Sequence, residues 1–402
     1  MPYAKCVTDN AAGCGMRLSR LEHLESMLKK WIEEENLRQA LVLKVNRCGK
    51  TVFEGCYGTN TKLGGHVGTD TLFSVASITK PVVSTMLFAL AEDGVVDLAE
   101  TVSRYLPGFD KNGREKICIW HFLTHTSGLT DEEMGEYADG IVKEKYGLTR
   151  PGDEAPHEEW EEFHKKVDEK VKEDLGSRPD FDEDDTWGAL VADMPAKREP
   201  RKQMTYCNYG YNMLAKIIVK TSGKRIDEYM AERVTGPLAM PDTHFIVPDD
   251  KWERILGRGE KCEGYPFINS ERYYRNENGA GGLKTTPDDI MRFCEMVRRG
   301  GELDGVRVLS KPSVKTMVEN HNADLPNDFD AWALGWNYRG AKKDDTTILR
   351  SPRCIDHGGW AGTKIMIDPD YDLCVVLFGA DYAENNQPLF GKLTNILYSA
   401  LD

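Results

Sequence analysis

The chain has 402 residues, 40% of them hydrophobic and 9% aromatic, enough for two or three ordinary domains or one large interleaved pair with a sizeable core. Its formal net charge of −14 argues against nucleic acid and against an anionic membrane surface as partners. That charge is local: residues 131–185 hold 21 Asp/Glu and 8 Lys/Arg.

In chain order, residues 17–36 have the spacing of an amphipathic helix, with Leu21, Leu24, Met27, Leu28 and Ile32 on one side. Leu41–Asn46 and Thr51–Gly55 are β-rich runs around Arg47-Cys48-Gly49-Lys50, which predicts a hairpin. Residues 58–68 read as a glycine-rich loop. Leu72–Ala76 runs apolar into Ser77, and 82–92 is a nearly all-apolar helix, which belongs in the middle of a domain. Residues 131–200 are charged and punctuated by Pro and Gly, with a helical patch at 158–174. They read as a solvated insertion or as a lid over a site. Helices are predicted at 211–222, 226–234 and 287–299. The C-terminal section turns to strands at 332–338, 363–367 and 373–378, the last two around a turn signal at Asp368-Pro369-Asp370. A final amphipathic helix spans 388–401.

Strands thus sit at both ends of the chain with helices between. The economical packing is one α/β (α+β) sheet domain made from 17–76 plus 285–402 and a mainly helical domain, 77–284, that carries the acidic insertion at 131–200. Ten cysteines are spread along the chain without a C-x-x-C pair, so neither a zinc or redox site nor a disulfide scaffold is expected. The first 17 residues lack an apolar signal region and no run reaches 18 apolar residues. The expectation is a cytoplasmic protein with reduced thiols and no membrane association.

The most informative stretch is Ser77-Ile78-Thr79-Lys80. The serine and lysine share one face of a helix start, and Pro81 requires that helix to begin near Ser77 or Ile78. The hydroxyl then sits at the positive helix end with an ammonium one turn above, a route to an activated serine without a histidine triad. The competing reading is a helix cap at Ser77. Ser26/Lys29 has the same spacing but falls in a charged helix. Tyr206-Cys207-Asn208 precedes another helix. A tyrosine near a lysine can serve as general base for a serine, and an Asn two residues on can hold both the lysine and a substrate amide; Tyr274-Arg275-Asn276 repeats the pattern as loop decoration. His357-Gly358-Gly359-Trp360 precedes the strand at Thr363. Glycines there let substrate lie on the backbone, and an N–H there can complete an oxyanion hole. The alternative is a structural histidine on a sheet edge. His66-Val67-Gly68 is a loop copy of that pattern. No His, Cys and carboxylate set has metal-site spacing, and no Gly-rich loop follows a strand in dinucleotide fashion.

In this order, Ser-x-x-Lys, Tyr-x-Asn and His-x-Gly resemble the serine β-lactamase and penicillin-binding-protein superfamily, within it the class C β-lactamase-like branch of family VIII esterases, D-aminopeptidases and some acyltransferases. Phe122–Leu129 is similar to that branch's "LLTHTSGL" segment, Gly279–Leu283 with Thr285, Thr286 and Asp288 to its "AGGL" segment, Leu334-Gly335-Trp336 to its "LGW" strand, and His357–Thr363 to "HTGFTGT". The likeness covers roughly 20–130 and 200–400. It implies a β-lactamase/transpeptidase-like fold and an acyl-enzyme. Ser77 is the implied nucleophile, Lys80 and Tyr206 activate it, Asn208 orients lysine and substrate, the N–H groups of Ser77 and Trp360 bind the oxyanion, and His357, Gly358 and Gly359 line the site. Many β-lactamases place a lysine where His357 stands, and a neutral histidine weakens a carboxylate contact. The expected function is therefore a carboxylesterase-like serine hydrolase acting on a small acyl substrate without metal or organic cofactor. Acyl transfer comes next, then β-lactam or D-aminopeptide cleavage, and a catalytically silent scaffold is the non-enzymatic alternative. The acyl donor, the acceptor and the oligomeric state are not legible.

Overall fold

The computed structural model describes residues 6–62, 64–152, 155–177, 186–344, 346–360, 362–384 and 389–402. Residues 1–5 of the N-terminal stretch, Leu63 of the predicted loop, 153–154 and 178–185 of the acidic stretch, Ala361 and Pro388 lie outside the described residues. The chain forms two compact units, Met1–Val95 with Ser222–Asp402, and Val96–Thr221.

The first unit is built on strands β1 (Arg38–Arg47), β2 (Lys50–Asn60), β3 (Gly65–His66), β4 (Phe73–Ser74), β5 (Lys284–Thr285), β6 (Glu302–Leu303), β7 (Val306–Arg307), β8 (Asn337–Tyr338), β9 (Ile355–Gly359), β10 (Thr363–Asp368) and β11 (Leu373–Asp381). Seven make one antiparallel sheet in the order β3-β2-β1-β11-β10-β9-β8, while β4–β5 and β6–β7 are small separate pairs. The predicted hairpin is β1–β2. Its two-residue turn puts Cys48 at φ 53° and Gly49 at φ 74°, the left-handed pair that matches the twist of antiparallel strands. The two ends of the chain meet where β1 pairs β11, with Leu43 opposite Leu377.

Both faces of these central strands are covered, which is why they read as nearly continuous apolar runs. Leu21, Leu24 and Leu28 of the helix Leu18–Lys29 and Leu389, Leu393 and Leu397 of the helix Leu389–Tyr398 cluster with Leu41, Leu43, Val375 and Leu377. Each such leucine contributes about 1.5–3 kcal/mol. The helix Pro287–Arg298 packs on β1, β10 and β11; its Phe293 stacks on Trp336 with ring centroids 6.1 Å apart. The helix Thr79–Glu92 is buried from Thr79 through Leu90, as its apolar circumference predicts.

Three local expectations change. The strand expected at 332–338 is confined to Asn337–Tyr338, because Gly335 takes φ 94° and breaks the extended run. The loop expected at 58–68 is partly ordered as the end of β2 and as β3. The first helix ends in a π turn over Lys30–Glu34. The unit boundaries fall at 95/96 and 221/222, not at 76/77 and 284/285. In the first unit the β4–β5 pair, Phe73 opposite Thr285, sets the Phe73 ring 5.4 Å from that of Phe378 in β11, and Ser84 of the helix Thr79–Glu92 donates to Leu334 O at 2.7 Å.

The second unit contains the helices Ile119–Leu123, Asp131–Tyr146, His157–Leu175 and Thr186–Val191 and the start of Asn208–Ser222. The helix Asp131–Tyr146 was not legible in the sequence. Its buried stripe is thin, Met134, Ala138 and Val142, but its ends are well marked. Thr130 Oγ1 accepts from Glu133 N, three acids occupy the first turn, and Gly147 closes it at φ 68°. Buried Arg114 ties the unit together by donating to Met194 O at 2.9 Å and Val191 O at 2.7 Å. Among the described residues no helix is long and apolar enough to cross a membrane.

Candidate active site

Ser77 lies in a 3₁₀ turn, Ala76–Ile78, that runs into the helix Thr79–Glu92. Ala76 is held at φ 46°, a left-handed conformation that a non-glycine residue keeps only when its surroundings enforce it. Thr79 supplies part of that enforcement: its Oγ1 donates to Ala76 O at 2.6 Å and accepts from Leu283 N at 3.0 Å. Ser77 is partly exposed, whereas Lys80 has no exposed surface. Lys80 Nζ lies 3.0 Å from Ser77 Oγ and donates to Ala280 O at 2.8 Å. A buried amine is stable only with such partners, and at this distance it can polarise the hydroxyl or stabilise its anion. The cap reading for Ser77 yields to this pairing with Lys80. Ala280 belongs to the glycine-rich segment legible in the sequence, but the use of its carbonyl was not.

The His357–Trp360 stretch forms the end of β9. β8 pairs with Ile355 and Asp356, β9 continues beyond that register through His357–Gly359, and Gly358 is exposed. A Cβ on Gly359 would collide with Val75 O and Thr363 Oγ1, and would lie 3.0 Å from Val75 C. The glycine therefore lets this edge approach the backbone two residues before Ser77. Thr363 Oγ1 fastens the approach by donating to Val75 O at 3.2 Å. His357 is 3% exposed; its Nδ1 is 2.9 Å from Gly358 O and its ring meets Trp332 edge-on at 5.8 Å. Burial first, then the nearby Lys80 charge, pushes its imidazole down to about 3. His357 is thus neutral throughout the ordinary pH range. Beneath it, Asp356 is engaged by Arg350 at 2.5 Å and by Asn337 at 3.1 Å. Trp360 is 47% exposed and donates from Nε1 to Glu263 Oε1 at 2.8 Å.

Tyr206 and Asn208 belong to the second unit. Tyr206 is 37% exposed and packs on the His125 ring, centroids 4.2 Å apart. His125 itself sits at φ 56°, and its Nδ1 accepts from Cys207 N at 3.2 Å. Asp131 accepts from Asn208 N at 2.8 Å, Asn208 Nδ2 at 2.9 Å and Tyr209 N at 3.1 Å, with Cys207 Sγ at 3.4 Å. This carboxylate caps the helix Asn208–Ser222 and fixes the tripeptide. His125 lies in a motif visible in the sequence; the roles of His125 and Asp131 were not readable there. Burial, then Asp131, pushes the Cys207 thiol well up, which disfavours its thiolate.

The competing copies are structural. Ser26 lies on a surface helix whose Lys29 pairs with Glu25 at 2.7 Å, Tyr274 is buried in the cluster of Leu72 and Ile255, and His66 is exposed. Among the described residues no group of three His, Cys, Asp or Glu side chains is arranged to hold a metal ion.

Residues 28–387 match the family model described as Beta-lactamase. The chain belongs to the β-lactamase family. An uncharacterised Mycobacterium tuberculosis protein is 29% identical over 279 residues, 63% of this chain and 61% of the relative. The Escherichia coli D-alanyl-D-alanine-carboxypeptidase/endopeptidase AmpH is 26% identical over 291 residues, 70% of this chain and 64% of the relative. The matches to these two relatives thus span less than two thirds of their length. The crystal structure of a family VIII carboxylesterase superposes with a TM-score of 0.70 at 16% identity, covering 99% of this chain and 98% of that one. The mixed antiparallel-sheet and helix architecture is the β-lactamase/transpeptidase fold.

Proposed function

We propose that this β-lactamase-family chain is a serine hydrolase that works through an acyl-enzyme on Ser77, with esters as preferred substrates. The observation that carries the reading is a fully buried lysine amine 3.0 Å from a partly exposed serine hydroxyl at a helix start. Ser77 Oγ attacks the ester carbonyl as Tyr206, assisted by Lys80, takes its proton. The N–H groups of Ser77 and Trp360 hold the oxyanion. The carbonyl–alkoxy bond breaks, the proton passes to the departing alcohol, and water, deprotonated in the same way, releases the acid. Asn208 orients Lys80 and the substrate. The roles of Tyr206 and Asn208 rest on the order of the sequence motifs.

Ester preference follows from His357. A neutral imidazole offers no fixed positive charge to a substrate carboxylate. We further assign the protein to the cytoplasm and to small-molecule substrates, on ten free cysteines and a net charge of −14. The test is a panel of p-nitrophenyl esters of increasing chain length, a chromogenic cephalosporin and a D-amino-acid anilide, each with and without an acceptor alcohol. Short esters are expected to turn over fastest. Faster cephalosporin or anilide turnover would overturn the assignment, and acyl product appearing mainly on the alcohol would make the protein a transferase.

A further inference from the structure

Trp360 follows directly on the glycine whose backbone lies against Val75, two residues before Ser77, and its indole reaches from there to Glu263 and Gly264. An exposed indole normally samples several rotamers. This one is held on two sides. Its Nε1 donates to Glu263 at 2.8 Å, and its far edge lies on Gly264, where a Cβ would come within 2.7 Å of Cη2 and 2.6 Å of Ile268 Cδ1. Gly264 has φ 79°, a conformation that also favours glycine. The loop carrying Glu263 is itself fastened to the sheet: Glu263 N donates to Asp381 O at 2.8 Å, and Cys262 bridges to Tyr382. Next along this loop, Tyr265 and Phe267 are 43% and 47% exposed. A half-exposed tryptophan held on two sides keeps its apolar face open to solvent in one orientation. A pre-fixed indole is also the kind of surface on which a flat apolar group gains most, since little freedom is lost on binding.

We propose that Trp360, fixed by Glu263, is a lip for an aryl or similarly flat apolar group flanking the scissile carbonyl, and that Glu263 is the positioning residue that sets this preference. The inference rests on the acyl-enzyme reading above and names the substrate class within it: esters whose acyl chain carries an aromatic group a few atoms from the reacting carbonyl.

Alkylboronic acids, which bond reversibly to an activated serine, test both levels. The dissociation constants of 2-phenylethylboronic acid and ethylboronic acid are measured on the full chain as wild type, Glu263→Ala, Glu263→Gln and Ser77→Ala. Wild type is expected to prefer the phenylethyl compound by about 10-fold. Glu263→Gln, which still accepts from the indole, is expected to keep that ratio, and Glu263→Ala to lower it to about 2-fold. No preference in wild type, or an unchanged ratio in Glu263→Ala, would overturn the lip. Failure of both compounds to bind wild type, or equal binding to Ser77→Ala, would overturn the acyl-enzyme reading itself, and the lip with it.

Discussion

Lys80 Nζ stands 3.0 Å from Ser77 Oγ at the end of a side chain with no exposed surface. An amine there costs stability in a buried, largely apolar helix, and partners such as Ser77 Oγ and Ala280 O at 2.8 Å offset part of that cost. Function and stability should therefore separate at this position. Lys80→Met, similar in length and apolar, is expected to slow ester turnover by about 10²–10⁴-fold while the melting temperature holds or rises. Parallel kinetics and thermal melts check this; a melting temperature that falls together with activity would show Lys80 to be mainly structural.

Asp131 gathers the backbone N–H groups of Asn208 and Tyr209 and the Asn208 side chain. Asp131→Ala removes a helix cap and should cost about 1–2 kcal/mol in urea unfolding. It also frees the tripeptide that carries Tyr206, and loss of placement should lower the ester rate by about 10–100-fold. Asp131→Asn keeps acceptor capacity and should recover most of the stability. An alanine variant with wild-type turnover would remove Asp131 from any role in positioning.

Arg350 has no exposed side-chain surface and pairs with Asp344 and with Asp356, the residue before His357, at 2.5 Å each. Arg350→Met removes the cation shared by the two acids, leaving Asp356 the more distant Lys364 at 3.7 Å, and should destabilise the fold by about 3–5 kcal/mol. Removing the exposed Arg275 from its pairs with Asp249 and Glu271 should change unfolding little. Chemical denaturation of both variants tests the contrast.

Histidine burial sets an acid limit. His357 is held down to about 3 and His121 to about 4, chiefly by burial. Both therefore bind protons more readily in the unfolded chain, whose histidines titrate near 6.5. Their contribution to stability is fully present above about pH 6.5 and is lost as pH falls toward the folded values. Between pH 7 and pH 5 the His357 share is about 2 kcal/mol at most. His357→Gln should flatten the pH dependence of unfolding by that amount. An unchanged slope would mean that His357 titrates in the fold as it does in the unfolded chain.

Much of this architecture was legible because its signals are local. The turn at Cys48-Gly49, the apolar helix after Ser77 and the hairpin through Asp368-Pro369-Asp370 each announce themselves within a few residues. The order of Ser77, Lys80, Tyr206 and His357 was legible for the same reason. What stayed hidden depends on distant partners. Asp131 looks like one acid among many in a charged stretch, and only folding brings it to Asn208. Gly359 reads as a glycine that lets substrate lie on the backbone, and its close approach to Val75 O was not visible. The helix Asp131–Tyr146 escaped notice because Met134, Ala138 and Val142 make too narrow a stripe to stand out from the surrounding charge.

The central claim is that Ser77 becomes acylated. The most direct measurement is intact mass after brief incubation with an activated ester, followed by peptide mapping, on wild type and Ser77→Ala. One acyl group on the peptide containing Ser77 in wild type, and none in the variant, is the predicted result. An adduct that maps elsewhere, or that persists in Ser77→Ala, would contradict it.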